Sequence, residues 1–392
     1  MAQGADNPAP RPLRGPSRSA PIAAVAALVL GSAITALLLG EAAVRLLGLG
    51  PLPLTIYRPH PTRMFALAPG RDIRFIDEEF STRVWIGPDG LRGSPDAAAG
   101  RAGRPRVLAL GDSFTFGYGV QAEEAWPARL QEELRRRGMT RAEVINAGIP
   151  AYAPDQELDL LRELLPRWRP DLVILALYVG NDVAEVTLHR SAPPLFVSAE
   201  GALIDDPTES DRHPGAIRAW LGRHSRLAAF LRVRVHRLVI ALGLRPAPRL
   251  YHADYFRDAL GYTPAYDRAW RLLEQILRAM DRETRARGGL FVLAVIPMDA
   301  QVSEKYWRPY LSLGFRFDRA ILRDARPQDR LRAFATAEGI PMVDLLPAFR
   351  TRVGETLHFR KNPHWNASGH LLAARELARE LARGPFTTTG FQ

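Results

Sequence analysis

Val107-Leu108-Ala109-Leu110-Gly111-Asp112-Ser113-Phe114-Thr115-Phe116-Gly117-Tyr118-Gly119 decides how this chain is read. An apolar run of strand type ends abruptly at a Gly-Asp-Ser turn, which presents a serine hydroxyl at the mouth of a sheet. By itself Gly-Asp-Ser carries little weight, since ordinary residue usage produces it by chance in about one chain in ten of this length. Two later segments change that. Gly180-Asn181-Asp182 closes a second apolar run, Leu172–Leu177, and His364 stands in Asn362-Pro363-His364-Trp365-Asn366 near the C-terminus.

Outward from these segments, strands and helices alternate. Strands are predicted at Val107–Leu110, Val144–Ala147, Leu172–Leu177, Leu290–Ile296 and Pro341–Leu345. Between and after them fall helices at Glu123–Arg137, from Asp155 as a cap, and at Tyr266–Arg287, Asp329–Glu338 and Ala367–Leu381. Trp126, Leu130 and Leu134 share one helical face, as do Leu158, Leu161 and Leu165. Such alternation with unbroken apolar strands predicts an α/β fold: a central parallel sheet with helices on both faces. Active sites of such sheets lie at the carboxyl ends of the strands. Ser113, the loop at 148–151, Asn181 and His364 can all reach that edge.

The 392 residues are 47% hydrophobic, as in a globular protein, and carry a formal charge of +11. The charge comes from scattered arginines, Lys305 and Lys361 being the only lysines, and no basic–aromatic stripe suggests nucleic acid. With no cysteine, disulfides, thiolate metal sites and a cysteine nucleophile are excluded. No His-x-x-x-His pair occurs, so neither a metal nor a cofactor is expected.

Residues 1–20 are expected to be a disordered cytoplasmic tail and 21–47 a transmembrane anchor, with Ile22–Leu39 as its apolar core. Twenty residues at about 1.5 Å each match the ~30 Å of a bilayer core. Glu41-Ala42-Ala43-Val44-Arg45 makes a poor cleavage site, which favours an uncleaved anchor over a signal peptide. Arg11, Arg14 and Arg18 precede the span, so the remainder should lie on the periplasmic or extracellular side of the cell membrane. Residues 48–105 read as a Pro-rich connector (Gly48–Arg63) and a small β-rich preamble, and 106–384 as the catalytic domain, followed by a tail at 385–392. Within the domain, about 183–262 reads as an insertion. Its arginine-rich helical stretch, Ile217–Leu242, is read as a solvated or snorkelling face, with anionic lipid or acidic polysaccharide as the functional alternative. His358 and His370 are read as structural or exposed.

A serine hydroxyl needs a base to become a nucleophile, and attack on an acyl carbon needs donors for the oxyanion. Gly111-Asp112-Ser113-Phe114, Asn146-Ala147-Gly148-Ile149-Pro150-Ala151, Gly180-Asn181-Asp182 and His364 together resemble the four ordered blocks of the SGNH (GDSL-type) hydrolase superfamily. The resemblance runs from Arg106 to about Leu381, and Pro88-Asp89-Gly90-Leu91-Arg92-Gly93 resembles the leader of membrane-anchored bacterial members. It implies a flavodoxin-like three-layer α/β/α sandwich and serine esterase or acyl-transfer chemistry. Ser113 would be the nucleophile and His364 the base, with the oxyanion held by the Ser113 N–H, the Ala151 N–H and Asn181.

Two positions depart from that pattern. The oxyanion glycine of the second block aligns with Ala151, which would be strained if φ is positive there. The aspartate expected two or three residues before the histidine is replaced by Asn362 and Lys361. In a serine protease, aspartate to asparagine lowers turnover about 10⁴-fold. Asn362, a backbone carbonyl, or a distant aspartate such as Asp344 could orient the base, or the enzyme could be weakened.

The leading expectation is a membrane-tethered ester hydrolase acting on O-acyl groups of a glycan, a lipid or a small molecule. One alternative is an O-acyltransferase of cell-surface polysaccharide, which would need a membrane partner to supply the acyl donor. The other is a non-catalytic glycan-binding protein on the same fold.

Overall fold

The computed structural model describes residues 19–47, 54–93, 105–188, 196–197, 203–204, 221, 224–242, 244, 266–312 and 314–383. The principal elements, in order, are α1 (Ser19–Leu46), β1 (Tyr57–His60), β2 (Met64–Leu67), β3 (Asp72–Ile76) and β4 (Ser81–Trp85). They continue with β5 (Arg106–Gly111), α2 (Ser113–Phe116), α3 (Trp126–Arg136), β6 (Glu143–Gly148), α4 (Pro154–Trp168), β7 (Leu172–Tyr178) and α5 (Asp182–Leu188). Then come α6 (Arg226–Ala241), α7 (Asp267–Arg285), β8 (Leu290–Ile296), α8 (Arg326–Glu338), β9 (Met342–Asp344) and α9 (Ala367–Arg383). The chain divides into two compact units, 1–50 with 215–238 and 51–214 with 239–392.

The larger unit is built on a five-stranded sheet in the order β9-β8-β7-β5-β6, every neighbouring pair parallel. That is the flavodoxin-like order, with its topological switch between β5 and β7. Right-handed crossovers then put α3 and α9 on one face and α4, α7 and α8 on the other. All residues of β5 and β7 are buried, which explains why both read as unbroken apolar runs. Trp126, Leu130 and Leu134 of α3 are fully buried, each contributing about 1.5–3 kcal/mol of burial.

Four details differ from the sequence reading. Helix α4 begins at Pro154 rather than being capped by Asp155; Gln156 Oε1 accepts from the Ala153 N–H at 3.1 Å. The supposed connector contains a strand, β1, paired antiparallel with β2 despite Pro59. Residues 182–188, assigned in part to the insertion, form α5, whose Val183, Ala184 and Val186 are core residues. The preamble, β1–β2 and the β3–β4 hairpin, is integral: Tyr57, Phe65, Phe75 and Val84 belong to the same core as the sheet. The tail at 385–392, residues 1–18 and most of 189–265 lie outside the described residues.

In the smaller unit, Ala24–Leu46 of α1 is long and apolar enough to cross a membrane, and residues 24–39 are exposed throughout. Near its end, Glu41 accepts hydrogen bonds from Ser225 Oγ (2.8 Å) and from the N–H groups of Arg226 (3.0 Å) and Leu227 (2.9 Å). Its carboxylate thus occupies the N-terminus of α6, where unpaired donors and the helix dipole favour negative charge.

Candidate active site

Gly111 ends β5 and Asp112 starts the short helix α2, its Oδ1 accepting from the Phe114 N–H at 2.8 Å. The turn puts Ser113 at the switch point, partly exposed. Gly148 at the end of β6 lets this turn approach, for a Cβ there would lie 2.1 Å from the Phe116 nitrogen. The second-block glycine is therefore used for backbone contact. Ala151, three residues on, has φ +67°, the left-handed conformation anticipated as a source of strain.

Asn181 follows β7 and opens α5, its carbonyl accepting from the N–H groups of Ala184 and Glu185. Its Nδ2 donates to Glu185 Oε2 at 3.0 Å, leaving the second amide hydrogen for another acceptor. Asp182 turns inward, accepting from the Tyr178 N–H at 2.7 Å.

From the far end of the chain, the loop before α9 brings His364 Nε2 to 2.6 Å from Ser113 Oγ. His364 Nδ1 lies 2.5 Å from Asn362 Oδ1, which also accepts the His364 backbone N–H at 3.1 Å. That backbone donor decides the amide orientation, because only an oxygen can accept it. With an oxygen facing it, Nδ1 carries the proton and Nε2 offers its lone pair to the serine. Asp344 is elsewhere: it pairs with Arg332 at 2.6 Å and accepts the Leu346 N–H at 2.9 Å. Of the candidates to orient the base, the structure brings only Asn362 to the ring.

The imidazole is sandwiched between Tyr118, stacked at 4.5 Å, and Phe114 at 5.0 Å. Burial holds it well below the ordinary histidine pKa, and with an amide instead of a carboxylate beside it nothing offsets that. It is neutral at pH 7, the form a base requires. His358 and His370 are fully buried, and His370 Nδ1 accepts the Trp126 N–H at 3.2 Å.

Behind Ser113 and Asn181 stand Asp112, Glu157 and Asp182, all buried. Burial first, and their mutual repulsion together with Glu185, raises all three carboxyls, Asp112 to about 7. Burial thus disfavours the charged form of Glu157 and Asp182, which limits negative charge next to a forming oxyanion.

The sequence reading missed how the preamble reaches three of the site's loops: the turn after Ser113, the loop at 148–151 and the loop before His364. Arg63 Nε donates to Tyr152 Oη at 3.0 Å, and Tyr152 donates to the Phe65 carbonyl at 2.6 Å, fastening the residue next to Ala151. Glu79 accepts the N–H groups of Arg360 (2.8 Å) and Lys361 (2.7 Å), and Glu78 pairs with Lys361, fastening the loop of Asn362 and His364. Arg92, 2% exposed, donates to the carbonyls of Phe116, Gly117 and Val120 at 2.6–2.7 Å, closing the turn after Ser113. The signal in the sequence was the Pro88–Gly93 segment, whose arginine reads as surface charge until its partners are seen.

Among the described residues, no group of three or more His, Asp or Glu side chains could hold a metal. A family model for GDSL-like Lipase/Acylhydrolase matches residues 109–372. An arylesterase of Vibrio mimicus is 36% identical over 94 residues, 24% of this chain and 44% of that protein. Thioesterase 1/protease 1/lysophospholipase L1 of Escherichia coli (strain K12) is 37% identical over 76 residues, 19% of this chain and 34% of that protein. The chain thus spans less than half the length of these curated relatives. A solved lipase/acylhydrolase from Enterococcus faecalis is 14% identical, with 71% of this chain and 95% of that one covered and a TM-score of 0.38. The psychrotrophic esterase EstA from Pseudoalteromonas sp. is 13% identical, with 71% and 97% covered and a TM-score of 0.37.

Proposed function

The chain belongs to the GDSL-like lipase/acylhydrolase family, and from that premise we propose that it is a membrane-anchored serine hydrolase of O-acyl esters. The observation that carries the proposal is the relay Ser113 Oγ–His364 Nε2 at 2.6 Å and His364 Nδ1–Asn362 Oδ1 at 2.5 Å. The first distance is within hydrogen-bond reach for a nucleophile and its base, and the second joins that base to the group that orients it.

Ser113 Oγ attacks the acyl carbon and its proton passes to His364 Nε2. The carbonyl oxygen gains the negative charge and is met by the N–H groups of Ser113 and Ala151 and by Asn181 Nδ2. Collapse expels the alcohol, which leaves with the proton from Nε2, and the acyl group remains on Ser113. Water then attacks this ester, its proton taken by His364, releasing the carboxylic acid and restoring the serine. Asn362 holds the tautomer throughout and offers the imidazolium a dipole in place of a charge.

The anchor reading has its own support. Ala24–Leu46 is long and apolar enough to span a bilayer, and the arginines before it favour a cytoplasmic N-terminus. Cleavage near Ala43 would separate Glu41 from the helix whose N-terminus it holds. The catalytic unit would then lie outside the cytoplasm.

The test uses purified full-length protein in detergent with an aryl acetate, alone and with oligosaccharides. Wild type should hydrolyse the ester and react with a fluorophosphonate, and Ser113→Ala should do neither while keeping its melting temperature. Transfer to sugar outpacing release to water would make it an acyltransferase. A folded wild type that is unlabelled and inactive on every ester would refute both forms.

A further inference from the structure

We propose that α6 is a second membrane-contacting element, an amphipathic helix lying in the headgroup layer of an anionic bilayer beside the end of α1. This rests on reading α1 as a retained span. Leu227 packs against Gly40 of α1, where a Cβ would come within 3.0 Å of it. Leu231, Val235 and Leu238 continue the same stripe at helical spacing and are 46%, 56% and 57% exposed. The face that begins against the span therefore runs on uncovered.

A second transmembrane passage is ruled out by composition, because Arg226, Arg232, Arg234, His236 and Arg237 fall within sixteen residues. The same composition suits an interfacial helix, with leucines toward the acyl chains and arginines toward lipid phosphates. Its depth is set by Glu41, which follows the apolar core of α1 by two residues and holds the first N–H groups of α6. The helix thus starts where the span leaves the hydrocarbon. Charge complementarity selects the occupant: an apolar stripe flanked by arginine matches phosphatidylglycerol-type lipid, whereas an acidic polysaccharide would leave the stripe in water.

The absence of cysteine allows single labels on the full chain. Ile34→Cys reports on α1, Val235→Cys on the exposed stripe, and His236→Cys on a position about 100° round α6 from Val235. Each variant carries an environment-sensitive dye and is reconstituted in phosphatidylcholine vesicles, with and without phosphatidylglycerol, containing a lipid-borne nitroxide quencher.

The expected result is strong quenching of Ile34→Cys in both lipids. With phosphatidylglycerol, Val235→Cys should be quenched several-fold more than His236→Cys, and adding Arg234→Gln should reduce its engagement about fivefold. Quenching at Ile34 with Val235 no more quenched than His236 would overturn the inference while leaving the anchor standing. No quenching at Ile34 would remove the anchor reading and this inference with it. Protection of Val235 from a water-soluble quencher by an acidic polysaccharide, and not by lipid, would assign the face to a glycan and overturn it as well.

Discussion

Asn362→Asp isolates the one chemical difference between this relay and a triad with a carboxylate. The amide oxygen already sits 2.5 Å from His364 Nδ1 and accepts the His364 backbone N–H, so the tautomer is correct in the wild type. The ~10⁴-fold loss seen when asparagine misdirects the tautomer therefore does not apply here. What is missing is charge. A carboxylate whose centre lies about 4 Å from the imidazolium gains about 4 kcal/mol at an effective dielectric of ~20. Packing against Tyr118 and Phe114 desolvates the ring, but both residues keep an edge in reach of solvent, and screening there reduces the gain to about 1–2 kcal/mol, or a five- to thirtyfold rise in kcat. The same charge stabilises protonated His364 in the free enzyme, so the acid limb of kcat/KM should move up in pH by about one unit. Aspartate should thus make the enzyme faster at pH 8 and more sensitive to acid. The assay is the pH profile of aryl acetate hydrolysis for wild type, Asn362→Asp and Asp344→Asn. An unchanged kcat with an unmoved limb in a folded Asn362→Asp would refute the reasoning. So would Asp344→Asn losing as much activity as Ser113→Ala.

Asn181→Ala removes the amide proposed as an oxyanion donor and should lower kcat about 10²–10³-fold; a change confined to KM would make Asn181 a ground-state contact. Glu79→Ala releases the two N–H groups that fasten the Asn362–His364 loop, so kcat should fall about tenfold with KM little moved, and Glu79→Gln should recover most of it. Unchanged kcat in Glu79→Ala would show that the loop holds itself. Arg92→Met takes a donor from three carbonyls at the turn after Ser113; those of Phe116 and Gly117 keep Asn146 Nδ2 and the Val120 N–H, while that of Val120 is stranded at about 1–3 kcal/mol, so the melting temperature and kcat should both fall. Glu157 has a folded pKa raised above its ordinary 4.5, so its contribution to stability is whole below that value and is lost as pH rises. Glu157→Gln should therefore raise the melting temperature more at pH 8 than at pH 5, and a gain confined to pH 5 would reverse the sign.

The sheet was legible because burial on both faces writes itself locally. Leu172–Tyr178 and Leu290–Ile296 have no polar residue until the last position of the first run, and at seven residues each they fit a covered parallel strand better than a helix. The placement of Ser113, Asn181 and His364 was legible for a related reason, since each lies within three residues of a strand or helix whose position the apolar pattern defines. Asp155 was misjudged as a cap because Pro154, which lacks an N–H to lose, is accepted in the first turn and starts the helix one residue earlier, leaving Asp155 inside it.

By itself, then, the sequence determined the layered α/β architecture, the sheet edge near which Ser113 and His364 meet, and an apolar helix within 21–47. The tertiary structure alone decided which group faces His364 Nδ1, and it turned a supposed preamble into the frame of the site. Arg63, Glu79 and Arg92 find their partners 89, 281 and 24 residues or more away, in loops whose approach depends on how the sheet is wound. Apolar periodicity is a property of neighbours along the chain. A hydrogen bond between two loops exists only once the fold has brought donor and acceptor within about 3 Å, and no local pattern encodes that distance.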